Sequence, residues 1–216
     1  MSSLETDPVV DANIVRMYKK DDDGHLIFRE AWVDAGVPDD DEDGDDAAAD
    51  DDIYFVVNHG QVGHQSTSKD AVAKTLEEAR GMLEAFKEQC IEDGYAELSR
   101  DEQFVVVAQF ALKTAVVSDR DKYLEEKARE AITAHLAWRG SGVVEKTEFV
   151  EGPHKTGKLN IYVLSPDAPR AVSNIKVCIR EDKLDFTKLT IGVAPASDPT
   201  AFRAKHSPTG STVFTL

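Results

Sequence analysis

Three histidines in the first half of the chain, His25, His59 and His64, are of a type that could bind a metal or another ligand. Three imidazoles at one end of a sheet could hold a zinc ion. His59 and His64 flank a segment with two glycines that is typical of a sharp bend, and His25 follows an Asp-Gly pair that is typical of a hairpin turn. No cysteine or carboxylate stands beside them at ligand spacing. We therefore predict no metal site and no cofactor; the histidines are either ordinary polar hairpin residues or a surface that binds a ligand or partner.

Residues 152–159 follow most of the pattern of a nucleotide-binding phosphate loop. In that pattern a Ser or Thr follows the lysine and holds Mg²⁺, but here Leu159 follows Lys158. A helix must also begin after the loop to cradle the phosphate, whereas the residues after Lys158 indicate a strand. We predict a solvated hairpin loop.

Residues 39–50 imitate a calcium-binding loop of the EF-hand type. Asp50 takes the position of the longer, bidentate Glu, and Asp46 takes a position that is normally apolar. No helical pattern flanks the segment. We predict no EF-hand, although loose association of Ca²⁺ or Mg²⁺ with these carboxylates would need no fold.

The two cysteines and His135 offer little catalytic chemistry. Cys90 and Cys178 lie in apolar periodic segments, so we predict buried, reduced and inert thiols. His135 falls on the apolar side of a helical pattern and is predicted to be a hydrogen-bonded core residue. The sequence has no Gly-x-Ser-x-Gly elbow and no dinucleotide fingerprint. A catalytic set that assembles only in the fold stays open, but we favour a protein that is not an enzyme.

The first half contains the pattern of a small sheet followed by a helix. Alternating or apolar runs predict strands over residues 13–19, 25–34 and 53–58. Thr75 and Glu78 form a capping box ahead of an apolar stripe at three- and four-residue steps, and Gly94 is placed to end that helix. We also predict a turn at residues 21–24.

The second half has the order strand, helix, strand, strand, helix, strand. The strands are predicted over residues 103–113, 143–150, 158–164 and 189–194, with a further one at 212–216, and the first helix over residues 118–139. Residues 167–181 fit either a helix or a strand; Asp167 as a cap and Pro169 in a first turn favour the helix. This order predicts a ferredoxin-like βαββαβ unit, a fold that specifies no function.

The net charge of −16 is concentrated in the first half. Residues 1–100 carry 26 acidic and 9 basic residues, whereas residues 101–216 carry 15 and 16. Residues 39–52 alone hold ten acids and no base, so we predict a disordered loop over residues 37–52. Because a duplex repels such charge, we expect no direct binding to nucleic acid. The N-terminus has no secretory pattern and no apolar run is long enough to cross a bilayer, so we expect a cytoplasmic protein without a membrane partner.

Two stretches of the first half resemble the WGR domain family. Residues 54–63 end in His59-Gly60-Gln61-Val62-Gly63, similar to the Trp-Gly-Arg-Val-Gly signature, and residues 83–95 are similar to the Phe-Lys…Gly-Tyr helix of the family. The resemblance covers residues 26–97 and implies an antiparallel sheet with one helix. In the family the Trp and Arg contact DNA and partners, and His59 and Gln61 replace them here, so the resemblance implies the fold more than the activity.

We therefore expect an α+β protein with a WGR-like domain over residues 1–100 and a ferredoxin-like domain over residues 101–216. The leading hypothesis is a binding or regulatory protein that contacts a protein partner through a sheet edge around residues 58–68, with His25, His59, Gln61 and His64 as candidate contacts. One alternative is a small-molecule-binding protein or enzyme with a site between the two halves. Another is an acidic mimic whose residues 39–52 occupy a basic partner.

Overall fold

The computed structural model describes residues 14–35 and 52–216 as a mixed α+β protein. Contacts divide the chain into two units: the first comprises residues up to Gln61 together with Ser66–Glu97, and the second comprises Val62–Gln65 and Leu98–Leu216. The predicted acidic loop, residues 37–52, lies outside the described residues apart from Asp52. The candidate EF-hand segment lies wholly outside them.

The first unit is an antiparallel meander of four strands in the order β1-β2-β3-β4 with one described helix, α1. The elements are β1 (Ile14–Lys20), β2 (Leu26–Ala35), β3 (Ile53–Gln61), β4 (Thr67–Ala73) and α1 (Leu76–Glu92).

One face of this sheet packs against α1. Ala31, Phe55 and Leu83 are buried together there, and the rings of Phe55 and Phe86 meet edge to face at 6.2 Å. The predicted turn before β2 is confirmed: Gly24 has φ of +81°, and the Asp21 carboxylate accepts hydrogen bonds from the Asp23 and His25 N–H groups. The antiparallel sheet with one helix is therefore the architecture expected from the sequence.

The strand β4 is missing from the sequence-based prediction. Six of its seven side chains are exposed, so its residues show no apolar alternation. Because Asn58 pairs with Ser68 and His59 with Thr67, the stretch that was predicted to be a sheet edge is the connection of a hairpin. The predicted glycine bend is present, with φ of +87° at Gly63.

The cap of α1 is simpler than the predicted capping box. The Thr75 hydroxyl accepts from the Glu78 N–H at 3.1 Å, but the Glu78 carboxylate accepts from the Lys74 N–H instead of returning to Thr75. The prediction of a capping box is therefore wrong in its second hydrogen bond, because the Glu78 carboxylate binds the N–H of Lys74 and not that of Thr75. The predicted C-terminal glycine is confirmed, since Gly94 has the left-handed φ of +82°.

The second unit is a five-stranded antiparallel sheet in the order β6-β7-β5-β8-β9 with two described α-helices. The elements are β5 (Phe104–Leu112), α2 (Asp119–Ala137), β6 (Val143–Glu151), β7 (Gly157–Ser165), α3 (Ala168–Glu181), β8 (Leu189–Pro195) and β9 (Arg203–His206). The first six follow the βαββαβ order that the sequence predicts, and β9 adds a strand beside β8.

The open choice for residues 167–181 is settled in favour of a helix. The Asp167 carboxylate accepts a hydrogen bond from the Arg170 N–H at 2.9 Å. Pro169 lies in the first turn of α3, where a backbone N–H would have no partner within the helix, so the N–H that proline lacks is not missed. On α2, the Ser118-Asp119-Arg120-Asp121 sequence indicates a cap residue followed by early acids, and the structure shows more: Ser118 and Asp121 form a full capping box.

The predicted strand over residues 212–216 is wrong, and the last strand is β9. A single backbone bond, from Ala204 N–H to Thr212 O at 3.2 Å, ties this segment to β9. Phe214 is buried, and a Cβ at Gly192 would lie 2.5 Å from its ring. The segment is therefore held by the buried Phe214 side chain and by hydrogen bonds that Gln109 and Lys158 donate to the Thr215 carbonyl at 3.0 and 2.7 Å, and not by strand pairing. No helix of the described residues is long and apolar enough to cross a membrane.

Candidate functional site

The four residues predicted as contacts do not assemble into a chemical site. His25 is exposed in the turn before β2, with Nδ1 3.5 Å from the Asp21 carboxylate. His59 is exposed on β3, His64 is exposed in the following turn, and Gln61 is half-buried at the strand end. Across residues 14–35 and 52–216, no group of three or more His, Cys, Asp or Glu side chains is placed to hold a metal ion. A partner-binding role for these residues stays a prediction.

The phosphate-loop-like segment forms a tight connection between β6 and β7. Residues Pro153–Lys155 make a 3₁₀ turn, and β7 begins at Gly157 without an intervening helix. The Lys158 ammonium donates to the Thr215 carbonyl at 2.7 Å. The lysine of the motif is thus engaged with backbone at the end of the chain, as expected of a hairpin loop and not of a nucleotide site.

The prediction for His135 is wrong in its hydrogen bonding. The side chain is only 10% exposed, but Nε2 is buried with no hydrogen-bond partner in the described part of the chain, and Nδ1 lies 3.8 Å from Glu181. Burial, followed by the charge of Arg139, lowers the pKa of the imidazole. His135 is therefore a mostly buried histidine that favours the neutral form and whose Nε2 atom has no hydrogen-bond partner among the described residues.

Both cysteines are buried and free, as predicted. Burial raises the pKa of the Cys178 thiol to about 12 and also raises that of Cys90. Since the thiolate is the reactive form, neither is suited to nucleophilic chemistry at neutral pH.

A groove in the second unit lies between α3 and the last two strands. Strands lie about 4.8 Å apart and a helix is about 10 Å wide, so two helices cover about four strands. The second unit has five. Because α2 and α3 cannot also cover β9, a channel is left beside α3.

The groove has an apolar floor and one apolar wall. Phe104 of β5 and Val193 and Pro195 of β8 form the floor, since the register of β5 with β8 puts these residues on the helix side of the sheet. The wall is the first turns of α3, with Ala168, Pro169 and Val172. The cavity has a volume of about 730 Å³, which is ample for a small organic molecule.

The opposite wall carries two cations, Arg203 and Lys205 of β9, next to Ala201. Alternation along the strand sends both side chains into the groove, while Ala204 between them packs on the other face of the sheet. Neither cation forms an ion pair with a carboxylate of the described residues. The groove therefore combines an apolar body with uncompensated positive charge at its rim.

The titratable residues that line the groove are Arg203 and Lys205. The groove can bind and orient a ligand that has an apolar body and an anionic group. Sequence reasoning missed this site because no motif marks it: the groove results from the number of strands beneath two helices. The alternation of basic and small residues in Arg203-Ala204-Lys205 is the local signal that could have indicated it.

A comparison of the chain with protein-family models, with curated proteins and with solved structures finds no match.

Proposed function

We propose that this protein is a binding protein for a small ligand with an apolar body and an anionic group, and that the groove of the second unit is the binding site. The observation that carries the proposal is the apolar cavity of about 730 Å³ with two unpaired cations, Arg203 and Lys205, along one wall.

The two parts of the groove contribute in different ways. Burial of an alkyl chain against Phe104, Val172 and Val193 is favourable by about 0.8 kcal/mol per CH₂ group. The cations add attraction for an anion and select against cationic ligands. We therefore expect affinity to depend on chain length through the apolar floor and on ionic strength through the rim.

Straight-chain carboxylates of increasing length test the proposal. Octanoate, decanoate and dodecanoate, each below its micelle-forming concentration, would compete for the groove against an anionic naphthalene dye whose fluorescence reports displacement. Each added pair of CH₂ groups should strengthen binding by roughly tenfold until the groove is filled. If none of the three binds, the proposal is wrong.

A pair of substitutions on α3 provides the control. Val172 lines the groove, whereas Val177 lies on the same helix and is 37% exposed. Val172→Glu puts a negative charge into the groove and should weaken decanoate binding by at least tenfold; Val177→Glu should leave it unchanged. Arg203→Gln with Lys205→Gln, both at exposed positions, repeats the test without touching the core. Equal affinity of all these variants would contradict the proposal.

The other functions inferred from the sequence stay predictions. The resemblance of the first unit to WGR modules supports a role in partner binding, and His59→Ala with His64→Ala would remove that binding without changing the groove. The acidic-mimic hypothesis rests on residues 39–52, and deletion of that segment should abolish salt-sensitive binding to a basic partner. Unchanged affinity after either change would sink the corresponding hypothesis.

A further inference from the structure

The cationic character of the groove continues past its apolar part along α3. Val172 lines the groove, and Lys176 and Arg180 follow it at steps of four residues. Residues at this spacing share one face of a helix. A different flank of α3, which carries Glu181, faces α2, because Glu181 lies 3.8 Å from His135 of that helix. The flank with Val172, Lys176 and Arg180 is therefore the one turned toward β8 and β9.

A bulge in β9 adds a further polar side chain to the same side. Val193 pairs with Arg203 and Gly192 with Ala204, but Ile191 pairs with His206, so Lys205 is an extra residue in the strand. Regular alternation would send Lys205 and His206 to opposite faces. The bulge instead lets both reach the helix side: Lys205 lines the groove, and His206 lies against Phe186, which packs on the core beneath the helices.

Two aromatic rings pack beside the C-terminal half of α3, next to the residues that line the groove. The rings of His206 and Phe186 are 4.7 Å apart, and the guanidinium of Arg180 lies 3.9 Å from the centre of the Phe186 ring. The Nε2 atom of His206 is buried and has no hydrogen-bond partner among residues 14–35 and 52–216. Burial and then the charges of Lys176 and Arg180 lower the pKa of His206, so both cations lie close enough to act on the imidazole.

No carboxylate of the described chain balances these charges. Lys176, Arg180, Arg203 and Lys205 form no ion pair with a described acid. This holds in a protein whose net charge is −16. Lys176, Arg180 and an unpartnered imidazole nitrogen therefore lie together at the end of the groove that Lys205 lines. Such a set can offer hydrogen bonds to several oxygens of one anion.

We propose that this end of the groove, formed by Lys176, Lys205 and His206, is a headgroup site for a phosphate monoester whose alkyl chain lies along the apolar floor. The inference rests on the proposed binding function and adds the chemical class of the head group. A phosphate monoester carries a charge of about −1.5 to −2 at neutral pH and three acceptor oxygens. A carboxylate carries a single charge on two oxygens, so it uses fewer of these donors.

Three ligands with the same chain separate the contributions: decyl phosphate, decanoate and decanol, each below its micelle-forming concentration, measured by dye displacement at pH 7.5. We expect decyl phosphate to bind at least tenfold more tightly than decanoate, and decanol to bind most weakly. Equal affinities of decyl phosphate and decanoate would overturn the headgroup site. If none of the three binds, the groove proposal itself fails.

Substitutions assign the preference to the named residues. Lys176→Gln and His206→Gln should each weaken decyl phosphate binding by roughly three- to tenfold and leave decanol binding unchanged. Lys113→Gln, an exposed position at the end of β5, should change neither. A preference for phosphate that survives in the Lys176→Gln/His206→Gln double variant would contradict the assignment, even if all three ligands still bind.

Vesicles identify the source of such a phosphate. Co-sedimentation with vesicles containing phosphatidic acid, but not with pure phosphatidylcholine vesicles, would support the site and indicate a lipid headgroup. Binding of soluble decyl phosphate without co-sedimentation would support the site and indicate a free ligand. Co-sedimentation that is insensitive to the double variant would contradict the site as its cause.

Discussion

Two cations of the first unit and two beside the groove of the second unit are used in different ways. In the first unit Arg16 is paired with Glu30, whose side chain is only 6% exposed, and Arg29 is paired with Asp93 and stacked on Tyr95 at 4.5 Å. In the second unit the cations beside the groove, Arg203 and Lys205, have no acidic partner among the described residues. A cation that is paired inside a unit stabilises the fold, whereas an unpaired cation beside an apolar cavity is free to attract a ligand.

The largest expected effect tests this difference directly. Arg16→Leu leaves the buried Glu30 carboxylate without its partner and should lower the free energy of unfolding of the first unit by about 3 kcal/mol. Arg203→Leu, at an exposed position, should change the second unit by less than about 0.5 kcal/mol. The two tryptophans report separately, Trp32 on the first unit and Trp138 on the second, if denaturation is followed in Trp→Phe single variants. Equal losses of unfolding free energy in the Arg16→Leu and Arg203→Leu variants would contradict this difference between paired and unpaired cations.

Replacing one glycine of each unit by alanine should change the stability of the two units in opposite directions. A Cβ at Gly192 would lie 2.5 Å from the Phe214 ring, so Gly192→Ala should destabilise the second unit by about 2 kcal/mol. Gly81, inside α1, has open space around it, and Gly81→Ala should stabilise the first unit by about 0.5–1 kcal/mol. Urea denaturation measures both.

A double-mutant cycle shows whether Phe214 is the cause. In a Phe214→Ala background, Gly192→Ala should cost less than it does alone, because the ring that the Cβ meets is gone. Additive losses would mean that Phe214 does not press on Gly192 in solution.

A smaller effect depends on pH. Burial and neighbouring cations lower the pKa of His135 and His206, although Glu181 and Asp182 oppose this at His135. The folded unit therefore holds both imidazoles neutral, and the unfolded chain takes up protons first as the pH falls. The stability of the second unit should be fully present above about pH 6.5 and should decrease below it. His135→Gln and His206→Gln should each reduce the loss of stability at low pH. Denaturation of the variant that keeps only Trp138 measures this loss as a function of pH. A pH profile that neither substitution changes would contradict the role given to the two histidines.

The smallest effect compares the helix caps. Ser118 and Asp121 exchange hydrogen bonds in both directions, whereas Thr75 only accepts from the Glu78 N–H. Ser118→Ala should cost about 1 kcal/mol and should raise the lowered pKa of Asp121, while Thr75→Ala should cost about half as much. Denaturation midpoints measure the costs, and a larger loss at Thr75 would reverse the ranking.

Sequence reasoning succeeded where a feature depends on a few neighbouring residues. The caps at Ser118 and Asp167, the helix end at Gly94 and the βαββαβ order follow from short spacings that are visible along the chain. It failed at β4, whose side chains are nearly all exposed, and at residues 212–216, which the buried Phe214 ring and two hydrogen bonds to the Thr215 carbonyl hold in place. The position of β4 is decided by pairing with β3 and that of residues 212–216 by contacts with residues distant in sequence, and neither leaves an apolar periodicity in the segment itself.

The histidines illustrate the same limit. The amino-acid types at His25, His59 and His64 suggested chemistry, yet the described structure leaves them as exposed hairpin residues and puts the concave site elsewhere. His206 attracted no attention in the sequence. It gains its position from a register shift between Ile191 and Gly192, which no local pattern indicates.

By itself, the sequence determined the α+β class, the capped helices, the inert cysteines and the uneven charge, because these depend on composition and on contacts between near neighbours. Only the tertiary structure decided that a fifth strand lies beyond the reach of two helices, and that cations from α3 and β9 stand beside the uncovered strip. A groove is a property of the space between elements, and that space depends on how many strands pair and in which register.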